Sequence, residues 1–323
     1  SLRARTLPTT KDALSARIEL LRGLIAQQQG DDWREPAARL GADLLTPLEA
    51  AGWLEGIDRL AIVPHAELNY LPFAALIRTH RDGPRLLVDD YALSVLPAAS
   101  LLVPVRRSRP AESDLLALAP EPARLPHSVR EVEEVAALFA VRPRLLIGQA
   151  ASEQSFKSEV GRHRVVHVAT HGFYDRFNPL FSGLELGRGG SDDGRLQVFE
   201  ILGLELRAQL VTLSACETAL STGELSDVPI GEEFVGLTRA FLSAGASSVV
   251  ASLWDISDGA TPDLMRSFYA NTRRQPLSDA LAIAQRQRAH AEGRQSHPFF
   301  WAPFVVVGVA ANVDLGSVNS ARR

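Results

Sequence analysis

The chain reads as an α/β protein built on a doubly wound, largely parallel sheet. Three observations lead there. Short apolar runs rich in β-branched residues recur along it: LAIVP (60–64), LLALA (115–119), VVHVA (165–169), LVTLS (210–214), SVVASL (248–253) and FVVVG (304–308). They are apolar at nearly every position, the pattern of strands covered on both faces in a parallel sheet. Helical periodicity alternates with these runs, and alternation of strand and helix predicts a doubly wound sheet. Finally, 323 residues with 46% hydrophobic content and a mean hydropathy of 0.00 are enough to bury a sizeable core.

In chain order, a helical lead-in comes first. Leu14, Ile18, Leu21 and Ile25 fall on one helical face, and a second helix is expected from about Trp33 to Leu54, after the QQQGDD break. Ser128-Val-Arg-Glu131 has the spacing of a capping box opening a helix with Val132, Val135 and Phe139 on one side. Residues 232–244 place Phe234, Leu237, Phe241 and Leu242 on a stripe that Gly245 is positioned to end. Thr261-Pro262-Asp263 reads as N-cap, N1 proline and first-turn acid, and a last helix is expected from Leu277 to Ala291. Two stretches read as linkers or loops, VPVRRSRPAESD (103–114) and GRGGSDDGR (187–195). The second matches no phosphate-binding loop, so a flexible or hairpin loop is expected there.

Composition removes several function classes. No run of 18 apolar residues is present, so no transmembrane helix is expected, and the opening SLRARTLPTT has no apolar stretch of the signal-peptide kind. Ser1 reads either as an added residue or as the cut edge of a longer protein. With 34 basic against 38 acidic residues, a net charge of −4 and a pI near 6.1, a general nucleic-acid binder is not expected. The five arginines between Arg273 and Arg294 read as a solvated face, at most a docking surface for a partner. One cysteine excludes an internal disulfide and a Cys-rich zinc site, and fits a reducing, cytoplasmic setting. The excess of Arg over Lys fits a GC-rich, bacterial genome. No cofactor is expected.

The chemistry gathers at two strand ends. RVVHVAT runs into His171-Gly172, and QLVTLSA runs into Cys216. In an open parallel sheet, groups just past the carboxyl ends of adjacent strands converge on one crevice. A thiol beside an imidazole can be held as thiolate, attack a carbonyl and hand its proton to a leaving amine. Gly172 carries no side chain, so its N–H can approach an oxyanion, and the Cys216 N–H is a second donor. Taken singly, a cysteine at a strand end is most often a small buried hydrophobe. His167 and His171 have a spacing seen in metal pairs, but position 168 is Val where a general-base Glu would stand, and no metal is expected. Asp193 and Glu200 are assigned structural roles, and Glu217 and Thr218 are expected to fix the turn after the nucleophile.

Strand–His–Gly paired with strand–Ala–Cys resembles the signature of the caspase, gingipain and separase clan of cysteine peptidases. More closely, HVATHGFY (167–174), LVTLSACETA (210–219), the stretch from Gly231 to Asp258 and HPFFWAPFVVVG (297–308) resemble CHAT-domain peptidases, as do residues 60–77 and 87–102. The resemblance implies a caspase-like doubly wound sheet of two caspase-like halves behind a short helical segment. The expected boundaries are a helical lead-in over 1–55, a degenerate half over 56–145, a catalytic half over 146–312 and a tail over 313–323. It implies His171 as catalytic histidine, Cys216 as nucleophile, and Gly172 and Cys216 as oxyanion donors. Tetratricopeptide repeats commonly precede the domain, which suits a fragment edge at Ser1.

SLWDISD (252–258) resembles the Trp-Asp segment of separases, which cleave after arginine. Asp255, or failing that Asp258, with Trp254, is therefore the candidate S1 pocket, where a carboxylate would pair with a basic P1 side chain. The expectation is a regulated cysteine endopeptidase acting on a protein substrate. It would be held in check until a partner, a missing sensor region or self-cleavage at 103–114 or 187–195 orders the site, with Arg106 and Arg107 suited to an S1 pocket that takes a basic side chain. The rival readings are a catalytically silent caspase-like scaffold or binding module, and an acyltransferase using the same pair.

Overall fold

The structure is a computed structural model that describes residues 2–80, 82–102, 113–140, 143–175, 177–216, 232–254 and 259–309. The segment 103–112, Glu217 and Thr218, Asp255 and Asp258, and the tail over 313–323 lie outside the described residues. Of Cys216 only the backbone is described.

The lead-in forms α1 (Lys11–Ala26), α2 (Arg34–Leu44) and α3 (Thr46–Glu49). Ile18, Leu21 and Ile25 are buried as the periodicity requires, with Leu14 packed against the same cluster. The single helix expected over 33–54 is broken instead. Pro47, which has no N–H to continue a helix ladder, sits in the first turn of α3, and Leu45 caps α2. The chain then runs through β1 (Arg59–Ile62), the hairpin β2 (Ile77–His80) and β3 (Gly83–Leu86), α4 (Leu87–Asp90), β4 (Ala92–Val95) and β5 (Ser113–Ala119). After α5 (Ser128–Ala136) and β6 (Arg144–Ile147) come α6 (Glu153–Glu159), the eleven-residue β7 (His163–Phe173), β8 (Gly183–Glu185) and β9 (Arg195–Gln197). Last are α7 (Val198–Ile201), β10 (Leu210–Cys216), α8 (Glu232–Ser243), β11 (Ser248–Ser252), α9 (Thr261–Thr272), α10 (Leu277–Ala289) and β12 (Phe304–Gly308).

Among the described residues ten strands form one sheet, ordered β1-β4-β12-β11-β10-β7-β5-β6, with β8 and β9 appended to β7. Every pairing along that order is parallel except β11 with β12, so the sheet is mixed at one seam. Strands from before and after residue 145 share this sheet, since β5 pairs with both β6 and β7. The apolar runs alternate between two cores. Leu115, Ala117, Ala119, Val165 and Leu210 face one cluster with α1, α2, α5, α9 and α10, whereas Leu116, Leu118, Val166, Val168, Val211 and Leu213 face a second with α6, α7 and α8. Helices on both faces explain why the strands do not alternate apolar with polar positions, His167, Thr170 and Thr212 being buried polar exceptions.

Three helix ends differ from expectation. The N-cap position of α5 is His127, whose side chain does not cap the helix. Ser128 sits inside the helix and donates to the Leu125 carbonyl at 2.6 Å, while Glu131 is drawn into the core by His167, so the capping box does not form. At α9 the cap is Ala260, with Thr261 already helical and Pro262 in the first turn. α10 ends at Ala289, two residues early. By contrast, Gly245 ends α8 as expected: its φ is +116°, and a Cβ there would lie 2.4 Å from the Leu206 carbonyl oxygen. The arginines expected to be a solvated face are partly engaged. Arg286 donates to the Val88 carbonyl, Arg288 pairs with Asp263 at 2.9 Å, and Arg294 donates to Gln28. Among the described residues no helix is long and apolar enough to cross a membrane.

Candidate functional site

The site is built by strand register. β7 and β10 are parallel neighbours whose pairing runs from Leu210 opposite Val165 to Cys216 opposite His171. Adjacent strands lie about 4.8 Å apart. The two residues therefore occupy neighbouring positions on the sheet, at the carboxyl end of β10 and near that of β7, although 45 residues separate them in the chain. His171 is half-buried, and its Nε2 is shielded from solvent with no hydrogen-bond partner among the described residues. A buried ring nitrogen that the fold leaves unpaired is destabilising by about 1–3 kcal/mol, a cost that usually has a reason.

Gly172 follows within β7 and is paired with Leu184 of β8. The β8–β9 ribbon approaches closely because Gly183 has no side chain: a Cβ there would lie 2.1 Å from the Leu196 carbonyl oxygen. Thr170 ties the ribbon down by donating its hydroxyl to the Glu185 carbonyl. The 187–195 stretch is a hairpin end, with Gly189 bridging Asp192 and the Leu186 N–H bonded to Gly194 at 2.7 Å. Lys157 of α6 anchors it, pairing with Glu153 at 2.5 Å, Glu200 at 2.8 Å and Asp192 at 3.7 Å, while Glu153 accepts the Gly194 N–H. Burial works against the Lys157 charge, yet Glu153 and Glu200 hold its pKa above the usual lysine value. Asp193 accepts the Arg195 N–H, and Glu200 accepts that of Gln197, so both serve the loop's structure.

Behind the strand ends lies a polar network that sequence reasoning missed. His167 is fully buried, its Nε2 is 2.9 Å from Glu131 Oε1 and its Nδ1 is 3.2 Å from the Tyr269 hydroxyl, which donates to Thr212 at 2.7 Å. Both ring nitrogens are thus occupied by α5 and α9, and neither is open to a metal. Burial, opposed by the Thr212 bond, pushes the Tyr269 phenol far above its usual range. The only sequence signal was the polar His and Thr interrupting otherwise apolar strands.

A second missed cluster lies at the end of β5. Just past β5, Arg124 Nη1 lies 2.8 Å from Glu121 Oε2 and 2.5 Å from Glu185 Oε2. Of the S1 candidates, Trp254 is buried, its indole N–H donating to the Phe299 carbonyl at 3.1 Å and its ring 6.5 Å from that of Phe299. Asp255 and Asp258 lie outside the described residues.

A mixed α/β sheet covered on both faces, with a histidine and the chain's single cysteine in register at adjacent strand ends, defines a caspase-like fold. The chain belongs to the CHAT domain family, which it matches over residues 34–309. It is 25% identical to mouse (Mus musculus) tetratricopeptide repeat protein 28 and 24% identical to its human (Homo sapiens) counterpart, across 99% of this chain. It spans only 15% and 14% of the length of those relatives. Among solved structures it is similar to separase in the Saccharomyces cerevisiae separase–securin complex, with a TM-score of 0.53 and 12% identity over 94% of this chain and 23% of that one. The Arg-specific cysteine proteinase gingipain R matches 95% of this chain and 69% of its own at 8% identity, with a TM-score of 0.49.

Proposed function

We propose that the chain is the catalytic domain of a cysteine endopeptidase. The observation that carries this reading is the register pairing of Cys216 with His171, whose Nε2 has no hydrogen-bond partner among the described residues. In the proposed reaction the imidazole takes the thiol proton, and Sγ bonds to the scissile carbonyl carbon as the carbonyl π-pair moves onto oxygen. The Gly172 and Cys216 N–H groups hold that oxyanion. Collapse breaks the C–N bond, the imidazolium protonates the leaving amine, and water, deprotonated by His171, hydrolyses the thioester.

Asp255, or Asp258, would favour a basic P1 side chain through a charge-assisted bond, with Trp254 supporting that segment from the core. The curated relatives are tetratricopeptide repeat proteins far longer than this chain, which supports control by a preceding repeat or sensor region. Self-cleavage at 103–114 or 187–195 is a further route, the second loop being anchored by Lys157 through Asp192.

A peptide-library digest by the wild type beside Cys216→Ala tests the reading. The expected result is cleavage after Arg or Lys that disappears in the variant. Cleavage after acidic residues would overturn the S1 assignment alone. No cleavage with any partner, together with labelling at the rate of a free thiol, would leave the silent-scaffold reading.

A further inference from the structure

Away from the strand ends the fold encloses a polar cavity of about 540 Å³. Two stretches of chain line it: the connection from α1 to α2, with Gln28, Asp31, Trp33 and Arg34, and the turn after α10, with Arg294 and His297. The two are tied together across 266 positions of sequence, since Arg294 Nη2 donates to Gln28 Oε1 at 2.8 Å. Gln28 makes that bond from a left-handed backbone, φ +59°, which a residue with a side chain adopts only at a cost. The rings of Trp33 and His297 meet edge to face with centroids 6.2 Å apart, closing the wall between the stretches.

His297 is nine-tenths buried. Its Nδ1 accepts the Phe299 N–H at 3.3 Å, so the neutral ring carries its proton on Nε2. That Nε2 is buried and meets no acceptor among the described residues. A buried donor without an acceptor is costly, and the shortfall calls for a partner. The arginines also have donors to spare. Among the described residues the Arg34 side chain donates only through Nε, to Asp31 at 2.8 Å, while its guanidinium lies 4.9 Å from the Trp33 ring centre. Arg294 donates only through Nη2. Two positive charges thus stand against the single negative charge of Asp31, and the cavity favours an anion. Burial is the largest cause of the lowered His297 pKa, Asp31 opposes it, and Arg294 and Arg34 add to it, so all three charges bear on this one ring.

We propose that this cavity binds a phosphorylated small molecule, its phosphate held between Arg34 and Arg294 with one oxygen accepting from His297 Nε2. A carboxylate presents two oxygens in one plane and is satisfied by a single guanidinium fork. A phosphate presents three outward oxygens at tetrahedral angles, and so can bridge donors from two separate stretches. The cavity is far larger than a phosphate and lies in the range of small-molecule sites, which leaves room for an organic part. The site is independent of the peptidase reading.

The test is calorimetric titration of the full chain with ribose 5-phosphate, beside malonate as a dicarboxylate of similar charge, near neutral pH and at low salt. Saturable binding of ribose 5-phosphate is expected. Arg34→Gln and Arg294→Gln, both at exposed positions, should each weaken it about tenfold, the contribution of one charge-assisted bond. Imidazole resonances give a second reading on wild type alone: the His297 signal should move as ribose 5-phosphate is added, and that of His80, on the β2–β3 hairpin, should not. No saturable binding, binding that neither arginine variant weakens, or a His297 signal that stays in place overturns the inference. Malonate bound as tightly as ribose 5-phosphate overturns the choice of a phosphate. Should a variant fail to fold, the His297 signal still decides.

Discussion

Thr212 of β10 is the register partner of His167 of β7, four residues ahead of the point where the same register pairs Cys216 with His171. The Tyr269 hydroxyl joins this earlier pair, donating to Thr212 and meeting His167 Nδ1. One hydroxyl on α9 thereby pins the two strands that end in the candidate dyad.

Tyr269→Phe removes that hydroxyl and leaves His167 Nδ1 and the Thr212 hydroxyl short of a partner in a dry site. A loss of about 1–3 kcal/mol is expected, read from urea unfolding. Glu131→Ala strands the buried imidazole, and a larger loss of about 3–5 kcal/mol is expected. Equal stability of both variants with wild type would show that the network contributes nothing to holding α5 and α9 on the sheet.

Gly183→Ala drives a methyl group into the Leu196 carbonyl and the Gln197 backbone, both on β9. The ribbon must open, so amides of 183–185 and 195–197 should exchange with deuterium faster than in wild type while β5 and β10 keep their protection. Unchanged exchange in the ribbon would refute the close approach.

Lys157→Met leaves Glu153, almost fully buried, without its counter-charge. A destabilisation of about 1–3 kcal/mol is expected. The 187–195 hairpin should also become sensitive to limited trypsin digestion, at Arg188 or Arg195. Resistance equal to wild type would mean that the loop is held by its backbone bonds alone.

The pH dependence of stability should carry a histidine signature. Burial, the largest cause, lowers the His297 pKa, and Arg294 and Arg34 lower it further against the opposing charge of Asp31. The neutral ring is the one that fits, because Nδ1 accepts the Phe299 N–H at 3.3 Å and cannot do so when protonated. The unfolded chain therefore binds a proton at a higher pH than the folded one. The stabilisation is complete above the unfolded value of about 6.5 and is lost as the pH falls through the folded one. His297→Asn, whose Oδ1 can accept the same bond without titrating, should flatten the fall in Tm between about pH 7 and pH 5. The same slope in both chains would exclude His297 as its source.

The sheet was legible because strands covered on both faces are apolar at nearly every position, and the six apolar runs read from the sequence all became strands, β1, β5, β7, β10, β11 and β12, although β1, at the end of the strand order, is only partly covered. The four-residue β4 and β6 and the three-residue ribbon strands carry too few positions for a pattern to emerge. The direction of β12 against β11 was equally hidden, since both orientations bury the same side chains. Ser128 and Glu131 had the spacing of a local cap, but the buried imidazole of His167 competes for the same carboxylate from across the core.

Of the candidate site, the sequence by itself singled out two residues, one histidine followed by glycine and one cysteine, each at the end of an apolar strand, in a pattern distinctive enough to identify the CHAT family. Only the tertiary structure decided that the two strands are adjacent and in register, that His167 is committed to Glu131 and Tyr269, and that Arg124 bridges Glu121 and Glu185. The reason is physical. Local pattern reports which face of an element is apolar, whereas register is set by contacts between segments 45 to 102 residues apart, which no local pattern encodes.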